Sequence, residues 1–133
     1  MTQILVIDDD ELCRRTVSNM LEQSGYEVSL AEDGQDGLDA ALSNPPHLII
    51  CDVDMPRLDG FAVVRRLRAD AKTEAIPIIF ITGLTKEEAS RRGGDAPGSD
   101  DILIKPFTRS SFLSTVKERL ARFGKRGRER SES

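Results

Sequence analysis

Five short apolar runs mark the chain, and stretches with helical spacing separate them. The runs 3–7, 48–51 and 78–81 are continuous and rich in β-branched residues, which is typical of strands buried on both faces. The run 26–30 alternates apolar with polar residues, as in a more exposed strand, and 102–104 is a shorter fifth run. This pattern predicts five strands.

Helical spacing of apolar residues fills the intervals between the strands. Gly25 is expected to end the first helix, Pro45 to stop the second, and Thr108 to cap the last. Since strands and helices alternate five times, we predict an α/β fold, a doubly wound five-stranded parallel sheet with helices on both faces. The apolar helical positions are Leu12, Val17, Met20, Leu21, Leu38, Ala41, Leu42, Phe61, Val64, Leu67, Phe112, Leu113, Val116 and Leu120.

The fourth helix is predicted to be short or irregular. Residues 86–92 have helical spacing, but Gly93, Gly94, Pro97 and Gly98 follow closely. An interior glycine costs a helix about 1 kcal/mol and an interior proline about 3 kcal/mol. A long regular helix is therefore not expected before the fifth strand.

Length and composition limit the class of protein. The 133 residues suit one domain with a sizeable core. No apolar run approaches the ~18 residues of a membrane span, and the N-terminus lacks the pattern of a secretion signal. Cys13 and Cys51 form neither a disulfide framework nor a zinc signature, and they fit a reducing compartment. We expect a cytoplasmic protein with no membrane partner.

Charge is distributed unevenly along the chain. The net charge is −4, but residues 122–133 contain five basic and two acidic side chains, so this segment carries +3 and the remainder −7. An acidic body argues against a nucleic-acid partner. A short segment rich in charge, Gly and Ser is typical of disorder. We therefore divide the chain into a folded domain, 1–123, and a disordered basic tail, 124–133.

Chemically active side chains collect where the predicted strands end. Asp8 and Asp9 follow the first strand, Asp52 the third, Thr82 the fourth and Lys105 the fifth. In such sheets, ligands bind at the carboxyl ends of the strands. Carboxylates brought together there repel one another unless a cation or a raised pKa relieves them. Oxygen ligands suit Mg²⁺, and a lysine and a hydroxyl beside a carboxylate are the equipment for an aspartyl phosphate.

Acids beside the predicted strand ends, Asp8, Asp9, Asp10 and Asp54, also have other interpretations. Asp10 is expected to cap the first helix, because acidic side chains favour helix N-termini. Asp8 and Asp9 also fit a capping cluster, but the matching residues at the other strand ends favour the site. Asp54, two residues after Asp52, either repels an attacking hydroxide or points to solvent, and the sequence leaves both open.

These motifs together resemble a known family. From Gln3 to about Phe123 the sequence resembles the receiver domain of bacterial two-component response regulators, a single CheY-like domain. The resemblance implies the flavodoxin-like strand order 2-1-3-4-5. The motifs are Ile7-Asp8-Asp9-Asp10, Asp52-Val53-Asp54-Met55-Pro56, Asp59-Gly60, Ile81-Thr82-Gly83 and Lys105-Pro106-Phe107.

The resemblance implies a phosphoacceptor and a metal site. By position, Asp52 is the phosphoacceptor. Asp8, Asp9, Asp52 and the backbone carbonyl of Asp54 hold Mg²⁺, with Asp9 in direct contact and Asp8 in contact directly or through water. The chain is then a signalling switch rather than an enzyme, apart from catalysing its own dephosphorylation.

The resemblance also implies partners. Thr82 and Lys105 bind oxygens of the phosphoryl group, and a cis bond before Pro106 aims the lysine. A sensor histidine kinase or phosphotransfer protein is the donor. Only a short tail follows the last helix, so we expect output through an unidentified downstream protein, from a monomer or weak homodimer.

Two positions depart from the family's usual pattern. Ile102 stands where an aromatic usually moves inward on activation, so a switch built on that movement is in doubt. Gly83 replaces the usual alanine after the switch threonine and loosens the backbone there.

Two other functions remain open. The first is a pseudo-receiver, the same fold acting as a phosphorylation-independent protein-binding module. The second is a phosphatase of the haloacid-dehalogenase type, which Asp52-Val53-Asp54 echoes. Such enzymes expect a longer chain with a cap, and here Met55-Pro56 follows, which disfavours this interpretation.

Overall fold

The computed structural model describes residues 1–85, 87, 88, 91 and 101–132, with side chains described for all of these except 101 and 122–132. The described part contains five strands and four helices. In chain order they are β1 (Gln3–Ile7), α1 (Glu11–Gln23), β2 (Glu27–Ala31), α2 (Gly34–Ser43), β3 (Leu48–Asp52), α3 (Gly60–Arg68), β4 (Ile78–Thr82), β5 (Asp101–Ile104) and α4 (Arg109–Glu132).

The strands form one parallel sheet in the order β2-β1-β3-β4-β5. The predicted fold class and strand order are confirmed. In the register, Ile7 lies beside Cys51, Asp52 beside Ile81, and Thr82 beside Ile104. The carboxyl ends of β1, β3, β4 and β5 therefore lie along one edge of the sheet.

Two separate apolar cores cover the two faces of the sheet. Alternate residues of each central strand point to opposite faces, so every position of β3 and β4 is buried. One core packs α2 and α3 against the sheet through Leu5, Ile7, Leu38, Ala41, Ile49, Phe61, Val64, Leu67, Ile78 and Phe80. The other packs α1 and α4 against it through Ile4, Val6, Val17, Leu21, Leu48, Ile50, Ile79, Ile81, Phe112 and Val116.

Each helix begins at a polar side chain that accepts a backbone N–H. Asp10, Asp33 and Asp59 cap α1, α2 and α3 with distances of 2.9, 2.8 and 2.9 Å. Thr108 caps α4, accepting from the N–H of Ser111 at 3.0 Å. The predicted caps at Asp10 and Thr108 are thus confirmed, and these caps help to satisfy N–H groups that the first turn leaves free.

Gly60 permits the close approach of α3 to the end of β3. A Cβ at this position would meet the carbonyl oxygen of Asp52 and lie 2.9 Å from the Cα of Val53. The N–H of Gly60 donates to the carbonyl of Val53 at 2.9 Å. A side chain here would push the helix away from the strand that carries Asp52.

Two predictions from the sequence, the irregular fourth helix and the disordered tail, are not decided by the structure. The irregular fourth helix falls on residues 86–100, nearly all of which lie outside the described residues. The last helix, by contrast, continues past Phe123 to Glu132, so its backbone is helical along most of the segment assigned to a disordered tail. The division into a domain and a tail stays a prediction.

Candidate functional site

Three acidic side chains meet where β1 and β3 end. Carboxylate oxygens of Asp8, Asp9 and Asp52 all lie within 4.8 Å of one another. Asp8 is fully buried and Asp52 is 6% exposed, whereas Asp9 is exposed. The structure thus brings together the three acids that the sequence placed at one edge of the sheet.

The two oxygens of the Asp8 carboxylate are held differently. Oδ1 accepts the N–H of Asp10 at 2.9 Å. Oδ2 is buried, has no hydrogen-bond partner among the residues that the structure describes, and lies 3.9 Å from the Nζ of Lys105. A buried charged oxygen left in this state is costly, so Asp8 favours a cation at the site.

Asp52 carries a strongly perturbed carboxyl. Burial, together with the charge of Asp8, raises its pKa to about 7, although the positive charge of Lys105 opposes the change. The N–H of Asp54 lies 3.4 Å from Oδ1 of Asp52, which is a long contact. Without a cation, the site therefore disfavours ionisation of Asp52.

Thr82 ends β4 and Lys105 follows β5 at the same edge of the sheet, and their backbones are joined. The N–H of Lys105 donates to the carbonyl of Thr82 at 2.7 Å. Burial lowers the pKa of Lys105, but the charges of Asp52, Cys13 and Asp8 outweigh burial, so the net change is upward. The Lys105–Pro106 peptide bond is cis, as the resemblance implied.

The hydroxyl of Thr82 is already engaged. Thr82 is fully buried, and its Oγ1 accepts the N–H of Leu84 at 3.0 Å. This bond ties the side chain to the loop that follows β4. A movement of the hydroxyl would therefore release that loop.

Two predicted site residues contribute no side chain to the carboxylate cluster. Asp54 is exposed, and its proposed carbonyl ligand role stays a prediction. Ile102 lies beside Phe80 in the sheet register, is half-buried and packs against the core on the α2 and α3 face. Its role in a switch likewise stays a prediction.

Sequence reasoning missed two residues of α1 that touch the site. Burial and the neighbouring Asp8 raise the pKa of the half-buried Cys13 thiol to about 12. Arg14 donates from Nη1 to the carbonyl oxygen of Asp8 at 2.8 Å. The available signal was helical spacing, because a helix capped at Asp10 places residues 13 and 14 one turn later, beside the cap.

Chemically, the donor set fits Mg²⁺. The cluster supplies carboxylate oxygens from the three acids, and within the described part of the chain one of them, the buried Oδ2 of Asp8, has no hydrogen-bond partner. Hard cations prefer such oxygen ligands, and Mg²⁺ is usually bound by one or two carboxylates plus waters and phosphate oxygens. Asp8, Asp9 and Asp52 are the residues that would hold it.

Comparisons with known proteins all point to the same family. Residues 4–117 match the response regulator receiver domain. The protein PilH of Pseudomonas aeruginosa is 38% identical over 122 residues, covering 91% of this chain and 99% of that protein. The transcriptional regulator RpaA of Synechocystis is 41% identical over 122 residues, covering 92% of this chain and 50% of RpaA. The chain thus spans about half the length of some curated relatives.

Solved structures agree with these matches. Chemotaxis protein CheY4 of Vibrio cholerae superposes with a TM-score of 0.81 at 33% identity, covering 90% of this chain and 98% of that one. The receiver domain of the sensor histidine kinase PA1611 of Pseudomonas aeruginosa, solved with a magnesium ion coordinated in its active-site cleft, has a TM-score of 0.84 at 28% identity and the same coverage. Among the helices of the described residues, none is long and apolar enough to cross a membrane.

Proposed function

Because the chain belongs to the response regulator receiver domains of two-component signalling, we propose that it accepts a phosphoryl group on Asp52 in the presence of Mg²⁺ and acts as a protein-interaction switch. One observation carries this proposal. Asp8, Asp9 and Asp52 converge within 4.8 Å, and the Nζ of Lys105 lies 3.9 Å from Asp8. This arrangement combines a nucleophilic carboxylate, a cation site and a positive side chain.

The transfer step moves one phosphoryl group. An oxygen of the ionised Asp52 carboxylate attacks the phosphorus of a phosphohistidine; the new P–O bond forms as the P–N bond breaks, and the leaving imidazole takes up a proton from solvent. A Mg²⁺ ion held by Asp8, Asp9 and Asp52 would supply positive charge to the phosphoryl oxygens. Lys105 pairs with another of these oxygens as a point charge. The donor is a sensor histidine kinase or a phosphotransfer protein.

The switch begins at Thr82. Its hydroxyl has one proton to donate, and phosphorylation adds roughly −1.5 to −2 charges at Asp52. Movement of the hydroxyl toward the new oxygens breaks its contact with the N–H of Leu84. The loop after β4 is then free to repack, which changes the surface offered to a downstream protein.

Intact mass measurement tests the proposal. The chain is incubated with Mg²⁺ and a small phosphoryl donor, such as a phosphoramidate or an acyl phosphate. We expect a gain of one phosphoryl group in the wild type and in Asp39→Asn, whose carboxyl is exposed on α2, and no gain in Asp52→Asn. A wild type that gains nothing contradicts the proposal and favours a phosphorylation-independent binding module.

A further inference from the structure

Arg14 is a buried cation that the proposed transfer step does not use. Its side chain is only 12% exposed, although it lies on the first turn of α1. Its Nη1 donates to the carbonyl oxygen of Asp8 at 2.8 Å, and its Nη2 lies 3.9 Å from Oε1 of Glu32, just after β2. One guanidinium therefore joins the end of β1 to α1 and to the segment after β2.

The acids of the site differ in how they are held. The carboxylate of Asp8 accepts the N–H of Asp10, and the carboxylate of Asp10 caps α1. The carboxylate of Asp9 is exposed, and the described residues give it no hydrogen bond or ion pair that would fix its direction. Its direction thus depends on the backbone that carries it.

The carbonyl that Arg14 binds belongs to the peptide joining Asp8 to Asp9. The other side of Asp8 is fixed as well, because its N–H donates to the carbonyl of Ala31 at 3.1 Å. Rotation of the Asp8–Asp9 peptide would break the bond to Arg14. A charge-assisted bond to a half-buried carbonyl is one of the stronger hydrogen bonds in a protein.

We propose that Arg14 is a positioning residue for the metal site: by binding the carbonyl of Asp8 it fixes the peptide that aims the Asp9 carboxylate at the cation. This inference rests on the proposed Mg²⁺ site. Residues that orient metal ligands typically contribute 10–100-fold in metal affinity. Glu32 is 79% exposed at 3.9 Å from the guanidinium, so its contribution is expected to be small.

Because positioning and simple electrostatics predict opposite signs, the inference can be tested cleanly. A nearby positive charge repels Mg²⁺, so on charge alone Arg14→Met should bind Mg²⁺ more tightly. If Arg14 positions Asp9, Arg14→Met binds Mg²⁺ about tenfold more weakly. Calorimetric titration of the full chain with MgCl₂ measures this directly and requires no phosphoryl donor.

Two control variants and one kinetic measurement complete the experiment. Arg15→Met removes an exposed arginine that pairs with Glu11 at 3.2 Å, and Glu32→Gln removes the outer partner of Arg14; both should bind Mg²⁺ as the wild type does. In phosphorylation assays, Arg14→Met should need more Mg²⁺ to reach half-maximal rate but should reach the wild-type rate at saturation. A general loss of structure would lower the saturated rate instead.

The outcomes separate the two proposals. If the wild type binds no Mg²⁺, both the proposed function and this inference are wrong. If the wild type binds Mg²⁺ and Arg14→Met binds it equally or more tightly, only the inference is overturned. Should Arg14→Met fail to fold, Arg14→Lys decides, because lysine keeps the charge but lacks the planar fork: weaker binding supports the inference and unchanged binding overturns it.

Discussion

Two groups of aspartates occupy neighbouring strand-to-helix connections and differ in how their oxygens are used. Asp10, Asp33 and Asp59 each accept a backbone N–H and complete a helix N-terminus. Asp8 and Asp52 are more deeply buried, and none of the described residues offers Oδ2 of Asp8 a hydrogen bond. The first group stabilises the fold, whereas the second is costly unless a cation binds. Because Asp8 also accepts a backbone N–H, depth of burial, rather than residue type or a backbone hydrogen bond alone, distinguishes Asp8 and Asp52 from the capping acids.

The largest expected effect comes from removing a charge of the second group. Asp8→Asn should weaken Mg²⁺ binding by more than the roughly 10–100-fold that loss of an orienting residue costs, because a ligand itself is lost. Asp33→Asn is the matched control, since asparagine also caps helices well. Calorimetric titration measures both; equal losses in the two variants would contradict the distinction between the groups.

Removing a site charge should weaken Mg²⁺ binding, but removing the charge of Asp52 should stabilise the metal-free protein. Each unit by which folding raises the pKa corresponds to about 1.4 kcal/mol of free energy that opposes the charged form of the carboxyl. Solvent at the mouth of the site screens part of this energy. We expect Asp52→Asn to raise the free energy of unfolding of the metal-free protein by about 1–2 kcal/mol at pH 7. Urea unfolding of this variant and of Asp39→Asn, which should match the wild type, measures the effect. A destabilised Asp52→Asn would show that the carboxylate is well satisfied.

The carboxyl of Asp52 should also make the stability of the metal-free protein depend on pH. The pKa of Asp52 rises from 3.8 to about 7 on folding, so the folded state binds the proton more tightly. The favourable contribution of Asp52 to the free energy of unfolding is fully present below pH 3.8 and is lost as pH rises to about 7. Metal-free wild type should therefore lose stability over this interval relative to Asp52→Asn. Thermal unfolding at several pH values tests this, and parallel curves for the two proteins would refute it.

The smallest effect on stability is expected from replacing one of the capping acids. Asp33→Ala removes the acceptor for the N–H of Asp36 and should cost about 1 kcal/mol of stability. Its Mg²⁺ affinity should stay at the wild-type value, because the Asp33 carboxylate contacts the N–H of Asp36 and the guanidinium of Arg57 rather than the three clustered acids. Urea unfolding and Mg²⁺ titration of one preparation provide both readouts. A loss of affinity together with stability would mean that caps and site are coupled.

Much of the fold could be predicted because hydrophobic spacing reports which faces are buried. Runs such as 48–51 and 78–81 have no polar position that solvent could hydrate, so they belong in a parallel sheet covered on both faces. The site followed from the same logic, since Asp8 and Asp52 end adjacent strands. The strand order, however, came from the family resemblance and not from spacing.

Other features escaped prediction for physical reasons. Helical spacing places Arg14 beside the cap of α1, but Arg14 binds a main-chain carbonyl, and every residue has one, so the spacing alone does not identify its partner. Cys13 touches Asp8 through the rotation of α1 on the sheet, which depends on packing.

The central claim is that Asp8, Asp9 and Asp52 together bind a divalent cation. Backbone amide spectra recorded during titration with MgCl₂ test it most directly. We predict saturable shifts centred on residues 8–10 and 52–54, smaller shifts at Thr82 and Lys105, and none at the capped start of α2. Weak, unsaturable shifts spread over the exposed acids would contradict the claim.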